Sequence, residues 1–113
     1  MTDERLNKLR MELRRGVLIL SVLASSKQPQ YGYSLRKHLN DAGIEIDEGT
    51  LYPLIRRLAD QGLLDSEWRQ TEGRDRRYYC LSERGNEVLT QLTVDWEQLN
   101  NSVGLLLSGL EKA

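Results

Sequence analysis

Asp47-Glu48-Gly49-Thr50-Leu51-Tyr52-Pro53-Leu54-Ile55-Arg56-Arg57-Leu58-Ala59-Asp60-Gln61-Gly62 carries the most informative pattern in the chain. Leu51, Leu54, Ile55 and Leu58 recur at the three- and four-residue spacing of an amphipathic helix with one apolar stripe. Asp47 or Thr50 can cap its start. Pro53 is comfortable in a first turn, which favours a start near Thr50; a start at Asp47 requires a kink at Pro53. The direction opposite the stripe carries Gly49, Tyr52, Pro53, Arg56 and Asp60, flanked by Thr50 and Arg57. Gln61-Gly62 ends the helix.

Upstream, a short helix is expected over about 32–42, with Leu35, Leu39 and Ala42 on one face and Gly43 as the residue that terminates it. Before it, Ser25-Ser26-Lys27-Gln28-Pro29-Gln30 is polar and carries a proline, so it closes a first helix. That helix shows Leu6, Leu9, Leu13, Val17, Leu20 and Leu23 or Ala24 at threes and fours. Leu18, Ile19 and Val22 widen the stripe, so its second half should be buried on more than one side. Downstream, Leu64, Ser66 and Trp68 alternate with Asp65, Glu67 and Arg69, the period of a strand. A turn-rich polar tip is expected over residues 70–76, with a return strand over 77–81. Ser82 then caps a last helix running toward Leu110.

Helix, helix, helix, strand, wing, strand, helix is a winged helix-turn-helix with a terminal helix, a mainly α (α+β) fold. Residues 1–81 would form the winged-helix unit and 82–113 the appended helix. A third helix held by one apolar stripe offers its other side, here Thr50, Tyr52, Arg56 and Arg57, to a DNA major groove wide enough to admit it. Arg74, Arg76 and Arg77 at the hairpin can contact phosphates or enter the adjacent minor groove. The alternative is a winged helix used for ligand sensing or protein contacts, without specific DNA readout.

In the terminal helix Leu89, Leu92, Trp96, Leu99, Val103, Leu106 and Leu110 alternate spacings of three and four, a heptad seam. So small a domain has little left to cover that seam, and a second copy of the chain is the expected partner. Packing against the N-terminal helix is the other use of the seam, and both can hold at once.

Composition narrows the function. The chain has 113 residues, 29% charged and 39% hydrophobic, which suits one compact domain or a domain with an appended helix. Its longest apolar stretch, 16–24, is interrupted by Ser21 and falls far short of the ~20 residues of a membrane span. Charges from Arg5 to Arg15 argue against a signal peptide, so a cytoplasmic protein without membrane contact is expected. One cysteine, Cys80, and one histidine, His38, leave no internal disulfide and no Cys/His zinc cluster. Cys80 reads as a small buried or half-buried thiol and His38 as a helix-surface or packing residue. No phosphate-binding glycine loop or nucleophile elbow appears, so neither catalysis nor a cofactor or metal is expected. Net charge is −1, yet residues 1–81 hold 14 Lys/Arg against 12 Asp/Glu, whereas 82–113 hold 2 against 5. The basic residues cluster as Arg36-Lys37, Arg56-Arg57 and Arg74-Asp75-Arg76-Arg77, compatible with a nucleic acid.

Tyr31-Gly32-Tyr33 before Leu35, the block Glu48 to Leu58, Gln61-Gly62-Leu63-Leu64 with Trp68, and Arg74-Asp75-Arg76-Arg77-Tyr78-Tyr79 followed by Leu81-Ser82-Glu83-Arg84-Gly85 resemble the PadR family of transcriptional regulators. The resemblance covers about residues 12–110, and the single terminal helix resembles the family's smaller subgroup. It implies a homodimeric repressor of palindromic double-stranded DNA sites, often its own promoter. By this resemblance Gly32-Tyr33 would touch the DNA backbone, Thr50, Tyr52, Arg56 and Arg57 would lie on the recognition helix, and Arg74, Arg76 and Arg77 on the wing. Trp96 sits where some small members face an aromatic residue to its dimer mate across a pore that receives flat aromatic or drug-like molecules. A seam-filling core residue is the other reading of Trp96. Ser82 stands where threonine is commoner and preserves the cap.

Overall fold

The computed structural model describes residues 3–109. Its elements are α1 (Asp3–Ser25), β1 (Gln30–Tyr31), α2 (Gly32–Asp41), α3 (Glu48–Asp60), β2 (Leu64–Thr71), β3 (Arg74–Leu81) and α4 (Glu83–Leu107). The sheet is antiparallel in the order β1-β3-β2. This is the expected winged-helix order, with one addition: Gln30 and Tyr31, at the end of the polar stop and just beyond it, pair with Tyr79 and Tyr78 as a third strand.

The core forms where the apolar stripes converge. Val22 and Leu23 of α1, Leu35 and Leu39 of α2, Leu51, Ile55 and Leu58 of α3, Leu64, Tyr79 and Leu89 are buried together, joined by Ile46 from the α2–α3 turn. The expected stripes of α2, α3 and the second half of α1 therefore meet, except that Ala42 is exposed, at the C-terminal cap of α2. Ser26, a fully buried polar side chain, donates to the Val22 carbonyl at 2.8 Å, and its own carbonyl accepts the Leu81 N–H at 2.7 Å. The second bond joins the end of α1 to the end of β3, and together they satisfy the polar groups of the buried serine.

Two boundaries differ from the sequence reading. α3 begins at Glu48 and not near Thr50: Asp47 is the N-cap, in extended backbone, and its carboxylate accepts the Thr50 N–H at 2.8 Å. Pro53 consequently sits in the second turn, where it cannot donate to the Gly49 carbonyl. Gly49 and Pro53 are both exposed, so water can serve that carbonyl and the earlier start is tolerated. The wing tip is also tighter than a turn over residues 70–76. Only Glu72 and Gly73 lie outside the strands, with φ of +54° and +76°, as a two-residue type I′ turn requires. Arg74 and Arg76 are therefore strand residues.

Hydrogen bonding from Thr50, through its side chain and then its backbone N–H, holds the Asp47 carboxyl below its ordinary value near 3.8. A carboxylate depressed in the folded state contributes stability that is complete above that ordinary value and is lost as pH falls through the lower folded one. Asp47→Asn keeps a capping oxygen without the titration. The urea midpoint of the Asn variant should therefore fall less steeply below pH ~4 than that of the parent, as followed by circular dichroism.

The protein is elongated. Its radius of gyration is 16.7 Å, against about 13 Å for a compact chain of this length. The first half of α1, with Leu6, Leu9 and Leu13, and the second half of α4 lie exposed, beyond the shared core.

Candidate nucleic-acid interface

The N-terminus of α2, the outer side of α3 and the base of the wing meet around one cavity of about 290 Å³. Tyr31, Tyr33, Tyr52 and Tyr79 contribute its aromatic walls, and Arg56, Arg76 and Arg77 its charge. Gly32 lets the Tyr52 ring lie close on α2: a Cβ there would stand 2.9 Å from Cε1 of Tyr52, so a larger residue would have to displace that ring. Burial against α2 pushes the Tyr52 phenol up from its ordinary value. Tyr52, expected on the open side of the recognition helix, is thus half-buried and packs the two helices together. Tyr33 is exposed beside it.

Tyr31 organises the other side. Its ring meets Tyr78 edge-on at 5.3 Å between centroids, and the Arg76 guanidinium lies 4.6 Å from its centre. Arg77 lies 5.4 Å from the Tyr79 ring and donates to the Ser66 hydroxyl at 2.9 Å. Such stacking holds the arginines while leaving their charge unneutralised.

The basic clusters of the sequence are not equivalent. Arg36 pairs with Glu48 at 3.3 Å and also donates to the Ile46 carbonyl, bracing the α2–α3 turn, and Lys37 pairs with Asp41 at 2.9 Å. Among the described residues, Arg56, Arg57, Arg74, Arg76 and Arg77 make no ion pair. Arg56 and Arg57 are exposed on α3, with Thr50 exposed in its first turn. The wing arginines divide between the two sides of the sheet. Arg77 shares a side with Tyr79 and its cross-strand neighbour Trp68, whereas Arg74 and Arg76 share the other with Tyr78. Trp68, a strand position in the sequence reading, is 68% exposed on the Arg77 side. A tryptophan placed beyond the last core residue of an alternating strand is the signal that marks it.

Along α4 the heptad seam changes character. Leu89 is 5% exposed, in this chain's own core, and Leu92 packs against that core. Trp96, Leu99, Val103 and Leu106 are 42%, 63%, 48% and 64% exposed. Leu110 lies outside the described residues.

His38 is exposed in the last turn of α2, and the half-buried Cys80 has its sulfur 4.0 Å from the Lys27 carbonyl. Among the described residues, no three His, Cys, Asp or Glu gather to hold a metal ion, and no helix is long and apolar enough to cross a membrane.

The profile of the "Transcriptional regulator PadR-like family" matches residues 19–91. A transcriptional regulator of Mycobacterium tuberculosis, Rv3488, is 34% identical over 93 residues, which are 81% of this chain and 87% of that protein. The crystal structure of a PadR family transcriptional regulator from Eggerthella lenta is 44% identical, with a TM-score of 0.85 over 95% of this chain and 96% of its own. A PadR-like transcriptional regulator from Bacillus cereus superposes with a TM-score of 0.78 at 31% identity, over 87% of this chain and 98% of its own. With the unpaired arginines of α3 and the wing on one winged-helix frame, these matches identify the chain as a member of the PadR-like family of DNA-binding transcriptional regulators.

Proposed function

We propose that this protein is a homodimeric repressor that binds a palindromic operator through α3 and the wing and releases it on binding a small planar aromatic molecule. The observation that carries the DNA-reading part is the set of arginines without carboxylate partners among the described residues, Arg56 and Arg57 on α3 and Arg74, Arg76 and Arg77 on the wing. Charge left unneutralised beside a helix sized for the major groove suits a polyanion. Thr50, Tyr33 and Tyr52 belong to the same interface, Tyr52 by fixing the angle between α2 and α3. Residues 1–81 act as the DNA-binding unit and 82–113 as the dimerisation unit, through α4, in the cytoplasm.

The homodimer is supported by the exposed half of the seam, Trp96, Leu99, Val103 and Leu106, on a helix that runs beyond the core. Isologous pairing about a two-fold axis presents two recognition helices to two half-sites, which accounts for a palindrome. For the ligand, two Trp96 indoles near that axis would leave a slot with apolar walls, where stacked rings gain ~0.5–1.5 kcal/mol beyond area burial. A ligand relieves repression when it favours a spacing of the recognition helices that the operator does not accept.

The test starts from the DNA the protein protects upstream of its own coding region. Arg56→Ala and Arg57→Ala should each weaken binding to that duplex by ~1–3 kcal/mol if their guanidinium groups read a base, with dimerisation unchanged. Arg74→Ala or Arg76→Ala should instead weaken specific and non-specific binding alike and lower the salt slope by about one for each phosphate no longer neutralised. Fluorescence anisotropy at several salt concentrations measures both. Unchanged affinity in both α3 variants rejects α3 as the reading helix and leaves the ligand-sensing or protein-interaction module.

A further inference from the structure

Trp68 has no role in the core or in the seam. In the β2–β3 register it stands opposite Arg77, and Ser66 stands opposite Tyr79. Cross-strand partners project from the same side of a sheet. Trp68 and Arg77 therefore continue outward the side on which Leu64 and Tyr79 enter the core. Arg77 and Tyr79 also line the cavity shared with Arg56 of α3. Trp68 thus stands one strand across from the cavity's Arg77, on the side of the sheet that packs against α3 through Leu64 and Tyr79.

At 68% exposure the Trp68 indole offers a large flat apolar surface to a partner. The surroundings specify the partner's charge, because Arg77 across the ladder and Arg56 across the cavity make no ion pair among the described residues. A flat apolar surface bordered by guanidinium groups without carboxylate partners fits the wall of a DNA groove, with apolar sugar and base edges between rows of phosphates. We propose that Trp68 is a DNA-contacting residue whose indole packs on the deoxyribose and base edges of the minor groove flanking the segment that α3 occupies, while Arg77 takes the adjacent phosphate. The inference rests on the DNA-facing reading of α3 and the wing above.

Trp68 and Trp96 are the two tryptophans of the chain, so Trp96→Phe leaves Trp68 as the sole indole reporter. In that variant, saturation with a fluorescein-labelled duplex carrying the protected upstream sequence should shift Trp68 emission and shield it from acrylamide. In the otherwise unaltered protein, Trp68→Ala should weaken binding of the same duplex about tenfold with an unchanged salt slope. Trp68→Phe should recover most of the loss, and Arg77→Ala should lower the slope. The quenching measurement decides independently of how the alanine variant folds. Undiminished quenching at saturation, or full affinity of Trp68→Ala, in a protein whose binding still depends on Arg56, overturns the role of Trp68 alone. Binding indifferent to Arg56 and Arg77 as well overturns the interface beneath it.

Discussion

Gly85→Ala should cost about 3 kcal/mol or more of folding stability, although alanine is the better helix former. Gly85 lies in the first turn of α4, and a Cβ there would stand 2.0 Å from the Leu63 carbonyl oxygen and 2.9 Å from its carbon. No rotamer relieves that clash, because both atoms are backbone. The bonds that would have to yield are those joining α4 to the end of α3. The Ser82 hydroxyl donates to the Gly62 carbonyl at 2.6 Å and accepts the Gly85 N–H at 2.9 Å, while the Ser82 N–H donates to the Leu63 carbonyl at 3.1 Å. Moving the helix away breaks the cap and these bonds together, a large share of the 5–15 kcal/mol by which such domains are stable. Gly16→Ala in α1 is the control, since nothing lies within 4 Å of the added Cβ. It should stabilise by ~0.5–1 kcal/mol through helix propensity alone. Urea unfolding of both variants at one fixed protein concentration should give opposite signs. An unperturbed Gly85→Ala would mean that α4 does not leave β3 along this path.

Leu99→Asp should turn the proposed dimer into folded monomers and weaken operator binding by at least ~100-fold, because two linked half-site contacts become one. Leu99 is 63% exposed and outside the core cluster, so a charge there leaves the winged helix intact. In a paired seam the same carboxylate would be buried against apolar neighbours without a cation, which no stable interface accepts. Sedimentation velocity, circular dichroism and anisotropy together give the result. A dimer that survives the substitution would reject the seam as the interface. Trp96→Ala then separates the two readings of the indole. As a ligand-stacking residue it leaves a DNA-binding dimer without affinity for planar dyes. As seam core it costs about 3–5 kcal/mol and loosens the dimer.

Local periodicity was enough to read the order of the helices and of the β2–β3 hairpin; β1 escaped it, because two residues carry no period. The stripes at Leu51, Leu54, Ile55 and Leu58, the alternation from Leu64 to Arg69 and the Ser82 cap each depend on residues within a few turns or one strand, and each has its counterpart in the structure. The start of α3 escaped that reading because two capping residues compete, and Pro53 decides between them only if its neighbours are ignored. With Gly49 and Pro53 both facing water, the unserved carbonyl is no obstacle, and Asp47 takes the cap. Likewise the polar run before Arg77 concealed a two-residue turn, since Glu72 is not a residue that announces a positive φ.

The winged-helix class, the amphipathic faces and the residue types at the interface are legible in the residues alone, because helix and strand periods are written in neighbouring positions. Which of those residues are available depends on how the chain packs. Arg36 and Lys37 look as basic as Arg56 and Arg57, yet Glu48 and Asp41 neutralise the first pair. Arg76 and Arg77 are adjacent in the chain, but strand register sends them to opposite sides of the sheet. Tyr52 shares a helix face with Arg56 but closes over Gly32, and Leu89 continues the seam of Trp96 but is consumed by the core. Each of these outcomes depends on a partner brought near by the fold, and a one-dimensional pattern holds no record of which residues the folded chain brings into contact.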